Sequence, residues 1–584
     1  MRPQNRGTRD GGRYRRPVTS VAVLGGGVGG LSAAHELAER GFDVAVYEAR
    51  DVFGGKARSI PVPGSGTDGR ADLPAEHGFR FFPGFYRHVI DTMARIPSGA
   101  TTADRHLVQA SRILMAQSGG RAELIAPAKL PASIDDLATV VRFMWGFATQ
   151  VGLSPAELAD FANRLLGLMT ACDERRLGQY EKQSWWEFVG AEQHSETYRK
   201  FLADGMTRTL VAARAREMSA RTGGSILCQL MFDMARIDSR LDRVLDGPTS
   251  EVWIDPWIDH LRGSGVTLRP DHRVAGIHCD GGTITGVTVD GPDGPQSVTA
   301  DYYIAAMPVE RLCELLSPEL RAADPRLARL PRLVTRWMNG VMFYLKHDVP
   351  LQPGHALFID SEWALTAISQ QQFWAGVDLA DRGNGRVRGI LSVDVSEWQR
   401  PGRRTGKVAA ACTPDEIRTE VWGQLTDAID DGSLREDNIE AWFIDPAVTF
   451  PNPGPAVNAE PLLVNTSGSW ADRPDAGTAI KNFFLAADFV RTHTDLATME
   501  AANEAARRAV NGILVASGSS QKHCGVWELR EPAVLGPFRA LDRIRWRLGR
   551  GPAKPPVTVG LDGALVPGGF AARALLTAAR WWPH

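Results

Sequence analysis

Cysteine is scarce in this sequence. Six are spread over 584 residues, at Cys172, Cys228, Cys279, Cys313, Cys412 and Cys524, and no two stand in C-x-x-C spacing. That scatter argues against a disulfide framework and a thiolate metal cluster, and it fits a reducing compartment. No metal-ligand set is evident. Long apolar runs are missing too. No stretch reaches 18 consecutive apolar residues, so no membrane-spanning helix is expected. Neither sign of charge dominates: 66 Lys and Arg stand against 68 Asp and Glu, a net −2, which leaves no electrostatic case for nucleic acid. The stretch Met1–Pro17 is rich in Arg and Gly but lacks an apolar h-region, and Arg15-Arg16 is followed only by Val21–Leu24. Residues 1–16 are therefore read as a disordered basic arm, not an export signal. The remaining composition, 43% hydrophobic and 23% charged, is ordinary for a globular protein and long enough for two or three structural units.

The strongest positive signal lies near the N-terminus. Val21-Ala22-Val23-Leu24 is a short apolar run, followed at once by Gly25-Gly26-Gly27-Val28-Gly29-Gly30. Leu31–Arg40 reads as a helix, Gly41 as its stop, Phe42–Tyr47 as a second strand, and Glu48 as the acid at its end. Strand, G-x-G-x-x-G, helix, strand and acid in this order make a dinucleotide-binding unit. Gly25 makes the tight turn, Gly27 lets backbone approach a pyrophosphate, and Gly30 lets helix and strand pack closely, with Gly29 in the same loop. The helix N-terminus offers free N–H groups to the phosphates. Glu48, 18 positions after Gly30, is placed to bind a ribose diol. The chain continues through Ala49 and Arg50 into Gly54-Gly55-Lys56-Ala57-Arg58. A second glycine pair with basic residues can wrap adenosine and pyrophosphate, which favours FAD over NAD and places Ala49, Gly55, Lys56 and Arg58 on the cofactor.

From Glu48 onward the chain resembles the flavoprotein superfamily of amine oxidases and phytoene-type desaturases. Their pattern is Glu, a short spacer, Gly-Gly and then Arg. Lys56 stands at the Arg place with Arg58 close behind, so which of the two reaches the phosphates stays open. Phe483–Asp488 looks like the family's last strand, whose Asp, here Asp488, binds the flavin ribityl chain. Thr494–Ala502 then opens a long helix whose N-terminus, at Thr498 and Met499, points in the family at the flavin N1/O2 edge. A helix N-terminus stabilises the negative charge of reduced flavin there. Two departures are small: Ala487-Asp488 replaces Gly-Asp, and Ala501-Ala502 stands where the family carries Gly. Glu76–Tyr86 is similar to the stretch that passes near the flavin ring in plant-type phytoene and ζ-carotene desaturases. It supplies the catalytic candidates His77 and Arg80, with His77 open to two roles, proton handler or structural hydrogen-bonder. By the same resemblance, Val274 in Arg273-Val274 touches the adenine.

Between these segments the pattern changes. Ser133 in Pro131–Leu137, Ser154 before Pro155, Trp185–Phe188 and Ile226–Phe232 mark helices of an expected substrate cap. Strands are expected at Val266–Leu268, at Val274–Ile277 and Ile284–Val289 around a Gly281-Gly282 turn, and at Tyr302–Pro308. Alternation at Val341–Leu345 and Gly389–Val395 suggests strands of a substrate domain, and Thr413-Pro414 opens a further helix. The fold class is α/β: a Rossmann-type FAD-binding domain, a parallel sheet with a β-hairpin insertion, interleaved with an α+β substrate domain having a helical cap. The FAD domain takes 17–95, 246–315 and 455–516, and the substrate domain 96–245 and 316–454. Residues 517–584 form a C-terminal amphipathic tail. There Phe538, Leu541, Ile544 and Leu548 alternate with Arg539, Arg543, Arg545, Arg547 and Arg550 around Trp546, and Phe570, Ala574, Leu575 and Ala578 lead to Trp581-Trp582. Such a tail suits a membrane surface, or a helix packed on the protein with a solvated Arg face.

The expected reaction is FAD-dependent dehydrogenation of a hydrophobic, isoprenoid or other lipid-like substrate, with hydride passing to flavin N5. The alternatives are a flavin amine or amino-acid oxidase of the same fold, or a redox-neutral flavin isomerase. For the amine reading Lys346, Lys481, Phe373, Trp374 and Trp470 are available, and each reads as surface lysine or core aromatic. No second G-x-G-x-x-G stands out for NAD(P), so the acceptor is external: oxygen, a quinone or a redox protein. No covalent attachment motif is evident, so FAD is expected to be non-covalent. The place is cytoplasmic, with a peripheral contact on the inner face of the membrane through the tail.

Overall fold

The computed structural model describes residues 18–119, 124–127, 145–146, 152–205, 207–208, 213–234, 242–555 and 557–569. The basic arm 1–16, the expected helix start at Pro131–Leu137 and the Phe570–Trp582 part of the tail lie outside the described residues.

The apolar runs around the glycine motif become a five-stranded parallel sheet. Its order is Thr267–Arg269, Asp43–Tyr47, Ser20–Leu24, Tyr302–Ala305, Phe483–Leu485. Val21, Val23, Leu24, Ile304 and Leu485 are buried, as strands covered on both faces require. Helix Val28–Ala38 follows the first strand and packs on helix Met499–Ala516, where Asn503 Nδ2 donates to Ser32 Oγ at 2.8 Å. Arg273–Asp280, Thr283–Gly291 and Gly294–Val298 form a three-stranded antiparallel ribbon. Gly281 and Gly282 turn its first hairpin with φ +53° and +74°, the left-handed pair that a two-residue turn needs.

A second sheet has seven strands, in the order Ile439–Ile444, Asn339–Leu345, Gly389–Val395, Leu365–Ser369, Ala356–Phe358, Arg112–Ala116, Leu124–Pro127. The two segments whose alternation suggested strands, Asn339–Leu345 and Gly389–Val395, are strands buried at every position. The reason is two cores. Phe343, Leu391, Val393 and Val395 pack with Trp422 of helix Pro414–Ala428, whereas Met342, Tyr344 and Ile390 belong to a separate cluster on the other face.

Helix starts follow the capping signals. Ser154, Ser184 and Thr413 each cap their helix and each completes a capping box, with Glu157, Glu187 and Glu416. The last long helix starts at Met499, with Thr498 Oγ1 accepting from the Ala501 N–H at 3.2 Å. Just before it, Asp495 is left-handed at φ +48°, and its carboxylate accepts from Thr222 Oγ1 at 2.6 Å and pairs with Arg473.

The tail packs on helix Asp173–Gly178 with its polar side. In helix Gly536–Arg547 the buried Asp542 pairs with buried Arg175 at 2.9 Å, and Arg543 pairs with Glu174 at 2.9 Å. Leu541, Ile544 and Leu548 face outward at 51%, 57% and 63% exposure. The helix is thus held to the protein by charge pairs, and its apolar stripe is left uncovered. A hairpin, Val557–Val559 with Leu565–Pro567, follows and is fastened to helix Pro155–Thr170 by the amide of Asn163, which accepts from Val559 N–H at 2.8 Å. Among the described residues no helix is long and apolar enough to cross a membrane.

Candidate active site

A cavity of about 1050 Å³ runs from the glycine motif into the helical cap. That is at or above the usual upper size for a small-molecule pocket, about 1,000 Å³. One end is lined by Gly25, Gly27, Gly29, Glu48, Asp488 and Met499, the other by cap residues such as Leu158, Phe161, Leu165 and Met231.

At the first end the loop is shaped by what a side chain would strike. Gly25 has φ +116°, and a Cβ there would lie 2.7 Å from Ala306 O. A Cβ on Gly30 would lie 1.9 Å from Gly25 O, and one on Gly29 2.0 Å from Ala486 O. Gly27 differs: its nearest neighbour would be Gly55 Cα at 3.7 Å, so no protein atom requires a glycine and its bare side is open to the cavity. Helix Val28–Ala38 has no side-chain cap at Gly27 and no acid in its first turn, so its leading N–H groups are left for an anion. Glu48 Oε2 accepts from Gly26 N–H at 2.7 Å and Oε1 from Arg50 N–H at 3.1 Å, which fixes the carboxylate at the strand end. Ala49 and Val274 line the same end. Asp488 lines it too, and its carboxylate makes no hydrogen bond within the described residues. Thr498 and Met499 bring the N-terminus of the last long helix to the cavity wall, while Glu500 turns away to accept from the N–H groups of Arg87, His88 and Val89. A bare cradle of N–H donors, a fixed acid beyond it and a free acid at the sheet edge fit a dinucleotide whose pyrophosphate sits at the helix start.

The two basic candidates part company. Lys56 lines the cavity, with Nζ donating to Pro461 O. Arg58 turns inward: its guanidinium donates to Gly55 O at 2.6 Å and to Glu460 Oε1 at 3.3 Å. Gly55 lines the cavity at φ +56° in the loop that Gly54 N–H ties to Gly26 O at 2.9 Å.

His77 and Arg80 both reach the cavity wall. His77 is buried, and its Nδ1 stands 2.5 Å from Asp445 Oδ2. Burial pulls its pKa below the ordinary imidazole value against the opposing pull of Asp445. Asp445 in turn accepts from Asn339 Nδ2 at 2.7 Å and from Ala447 N–H at 2.9 Å, which fixes this carboxylate beside the ring. Arg80 donates to the carbonyls of Lys56 at 2.5 Å and of Gly78, and stands 3.4 Å from Glu76 Oε2. Its guanidinium thus ties the Lys56 and Gly78 backbone together.

Among the lining residues that were not anticipated are Asp242, His355, Thr366 and Asp394. They come from distant segments, and the one sequence signal was a lone acid inside the apolar strand Gly389–Val395. Of the residues considered for amine chemistry, Phe373 and Trp374 are core, Trp470 is stacked by Arg221, Arg473 and Arg491, and Lys346 bonds Asp437 O at an exposed site. None of these four lines the cavity, nor does Lys481.

Comparison with known proteins agrees with this geometry. The chain is 24% identical to a 15-cis-phytoene desaturase of Synechococcus elongatus over 86% of its own length and 97% of the relative's. It is 26% identical to a ζ-carotene desaturase of Synechocystis over 52% of this chain and 60% of that one. A solved cyclohexylamine oxidase from Brevibacterium oxydans superposes with a TM-score of 0.56 at 15% identity, covering 86% of this chain and all of that one, a likeness of fold. The profile described as flavin containing amine oxidoreductase matches residues 28–514, from the first nucleotide helix to the end of the last long one. The chain therefore belongs to the flavin-containing amine oxidoreductase family, and it is an oxidoreductase whose cofactor is FAD.

Proposed function

We propose that this protein desaturates a long apolar isoprenoid chain laid along the cavity. The observation that carries the reading is the continuity of one cavity from the dinucleotide cradle to a cap walled by Leu158, Phe161, Leu165 and Met231. Bound FAD supplies the hydride acceptor. The protein's part is to hold two carbons of the chain beside it and to keep water out, which an apolar wall does without acid–base machinery. Gly25, Gly27, Gly29 and Gly30 with Glu48, Ala49, Gly55, Lys56, Val274, Asp488, Thr498 and Met499 hold the cofactor. Arg58 supports the loop through Glu460. Burial favours neutral His77, and Asp445 faces its Nδ1 beside the Gly78–Phe81 segment.

Residues 17–95, 246–315 and 455–516 act as the cofactor domain, and 96–245 with 316–454 as the substrate domain. Electrons leave to an external acceptor, oxygen, a quinone or a redox protein. The uncovered stripe Leu541, Ile544 and Leu548, flanked by Arg547 at 72% side-chain exposure, supports a peripheral contact with the inner face of the membrane, where an apolar substrate is found. The test is product analysis. Incubation with phytoene or ζ-carotene and a quinone should yield products lighter by two hydrogens per step. Peroxide released with simple amines, and no change in the carotenes, would move the protein to the oxidase reading.

A further inference from the structure

The cavity is apolar along most of its wall, yet its sheet side carries one concentrated polar spot. Thr366 and Asp394 are direct cross-strand partners in the seven-stranded sheet. Leu357 pairs with Thr366 from the next strand, which puts His355, two residues earlier, on the same face. His355 Nδ1 stands 2.6 Å from Asp242 Oδ2, and its ring packs against Phe79 and Phe81 at 4.8 Å and 5.1 Å. All four side chains line the cavity, and all are at least nine-tenths buried: 7% exposed for His355, 3% for Asp394, 2% for Thr366 and 1% for Asp242. Each also has an atom with no hydrogen-bond partner in the structure: His355 Nε2, Asp394 Oδ1, Thr366 Oγ1 and Asp242 Oδ1. Four such atoms in one place are costly unless a ligand pairs with them.

We infer that this cluster recognises a hydroxyl on an otherwise apolar substrate. The inference rests on the reading of the cavity as an isoprenoid site and adds the substrate's polar group. The chemistry selects a neutral head group that both donates and accepts. With Nδ1–H given to Asp242, His355 offers a lone pair at Nε2, and the Thr366 hydroxyl works either way. Burial pushes the Asp394 carboxyl up to about 7, so it can donate as an acid. Of the titratable groups around Asp394, Arg80 and His355 favour its charged form, and Asp445 and Glu76 disfavour it. An ammonium would stand near Arg80, and a carboxylate near Asp242. Gly78 is part of the device: a Cβ there would lie 2.7 Å from Asp394 Oδ1.

The test uses the holoenzyme with bound lycopene, followed by its visible absorption. Geranylgeraniol, geranylgeranylamine, geranylgeranoic acid and the parent hydrocarbon compete for the site. In the native protein the alcohol should displace lycopene at a concentration lower than the other three by about tenfold or more, since a site built to pair a hydroxyl rejects partners that leave it unpaired. In Thr366→Val/Asp394→Ala the ratio of alcohol to hydrocarbon should fall to about threefold or less. FAD content and melting temperature report whether that variant folds; if it does not, the near-isosteric Thr366→Val alone should still narrow the ratio. Equal competition by alcohol and hydrocarbon, preference for the amine or acid, or an unchanged ratio in a folded variant would overturn the inference and leave the isoprenoid reading standing. Failure of lycopene to bind at all would overturn both.

Discussion

Gly30→Ala puts the cofactor cradle under a known load. The added Cβ would lie 1.9 Å from Gly25 O, 3.0 Å from Gly25 C and 3.3 Å from the Ala306 Cβ. Ordinary contact begins at 3.4 Å, so the helix start must retreat by roughly 1.5 Å from the turn, the difference of these two distances. Two of the three neighbouring atoms are backbone, and no side chain can swing aside. Overpacking of this kind costs about 1–3 kcal/mol. The strained contact joins the phosphate turn to the helix whose N–H groups bind it, so relief comes by deforming the cradle. If the whole strain falls on the bound form, FAD affinity drops by about 5- to 150-fold. Gly263→Ala is the control, because a Cβ there meets nothing within 4 Å. Titration of FAD into depleted protein, followed by flavin fluorescence, gives the dissociation constant. Affinity within about twofold of the native protein in a folded Gly30→Ala variant would refute the placement of the pyrophosphate at this turn.

Asp394→Asn tests the buried acid through stability. The native carboxyl titrates near 7 in the folded chain and near 3.8 when free, so the fold binds the extra proton between those values and loses stability as pH rises through them. Melting of the Asn variant relative to native should therefore improve from pH 4 to about 7, and a difference flat with pH would contradict the burial. Asp542→Ala leaves buried Arg175 without its partner and also removes an acceptor from Cys172 N–H at 3.0 Å. About 3–5 kcal/mol is at stake, and trypsin should cut early at Arg539 or Arg543; native-like resistance would show that the tail is held otherwise. Leu541→Ser/Ile544→Ser/Leu548→Ser removes only exposed apolar groups, so binding to anionic liposomes in flotation should fall by about tenfold or more with melting unchanged. Equal flotation would remove this stripe from the membrane contact.

The parts of the protein that were legible from sequence are those whose signals are local. Gly25–Glu48 is contiguous, and its turn, helix and strand follow from steric limits on a few residues. Helix starts at Pro155 and Pro414 were readable because Ser154 and Thr413 with Glu157 and Glu416 satisfy the first turn within four residues. The left-handed turn at Asp495 was hidden because that residue is tied to Thr222, 273 positions away, and to Arg473. The same limit applies to the polar cluster: Thr366 and Asp394 meet only through sheet register, and Asp242 reaches His355 across 113 positions. In the described part of the tail, helix Gly536–Arg547 docks one face and exposes the other. Which face docks was decided by Arg175 and Glu174, residues of another helix.

The most direct measurement is anaerobic reduction of the bound flavin. The purified holoenzyme is mixed without oxygen with phytoene or ζ-carotene in detergent, then separately with an amine panel, while the visible band of oxidised flavin is followed. The carotenes should bleach the band and the amines should leave it unchanged. Bleaching by an amine alone, or a purified protein that is colourless and binds no FAD, would contradict the account.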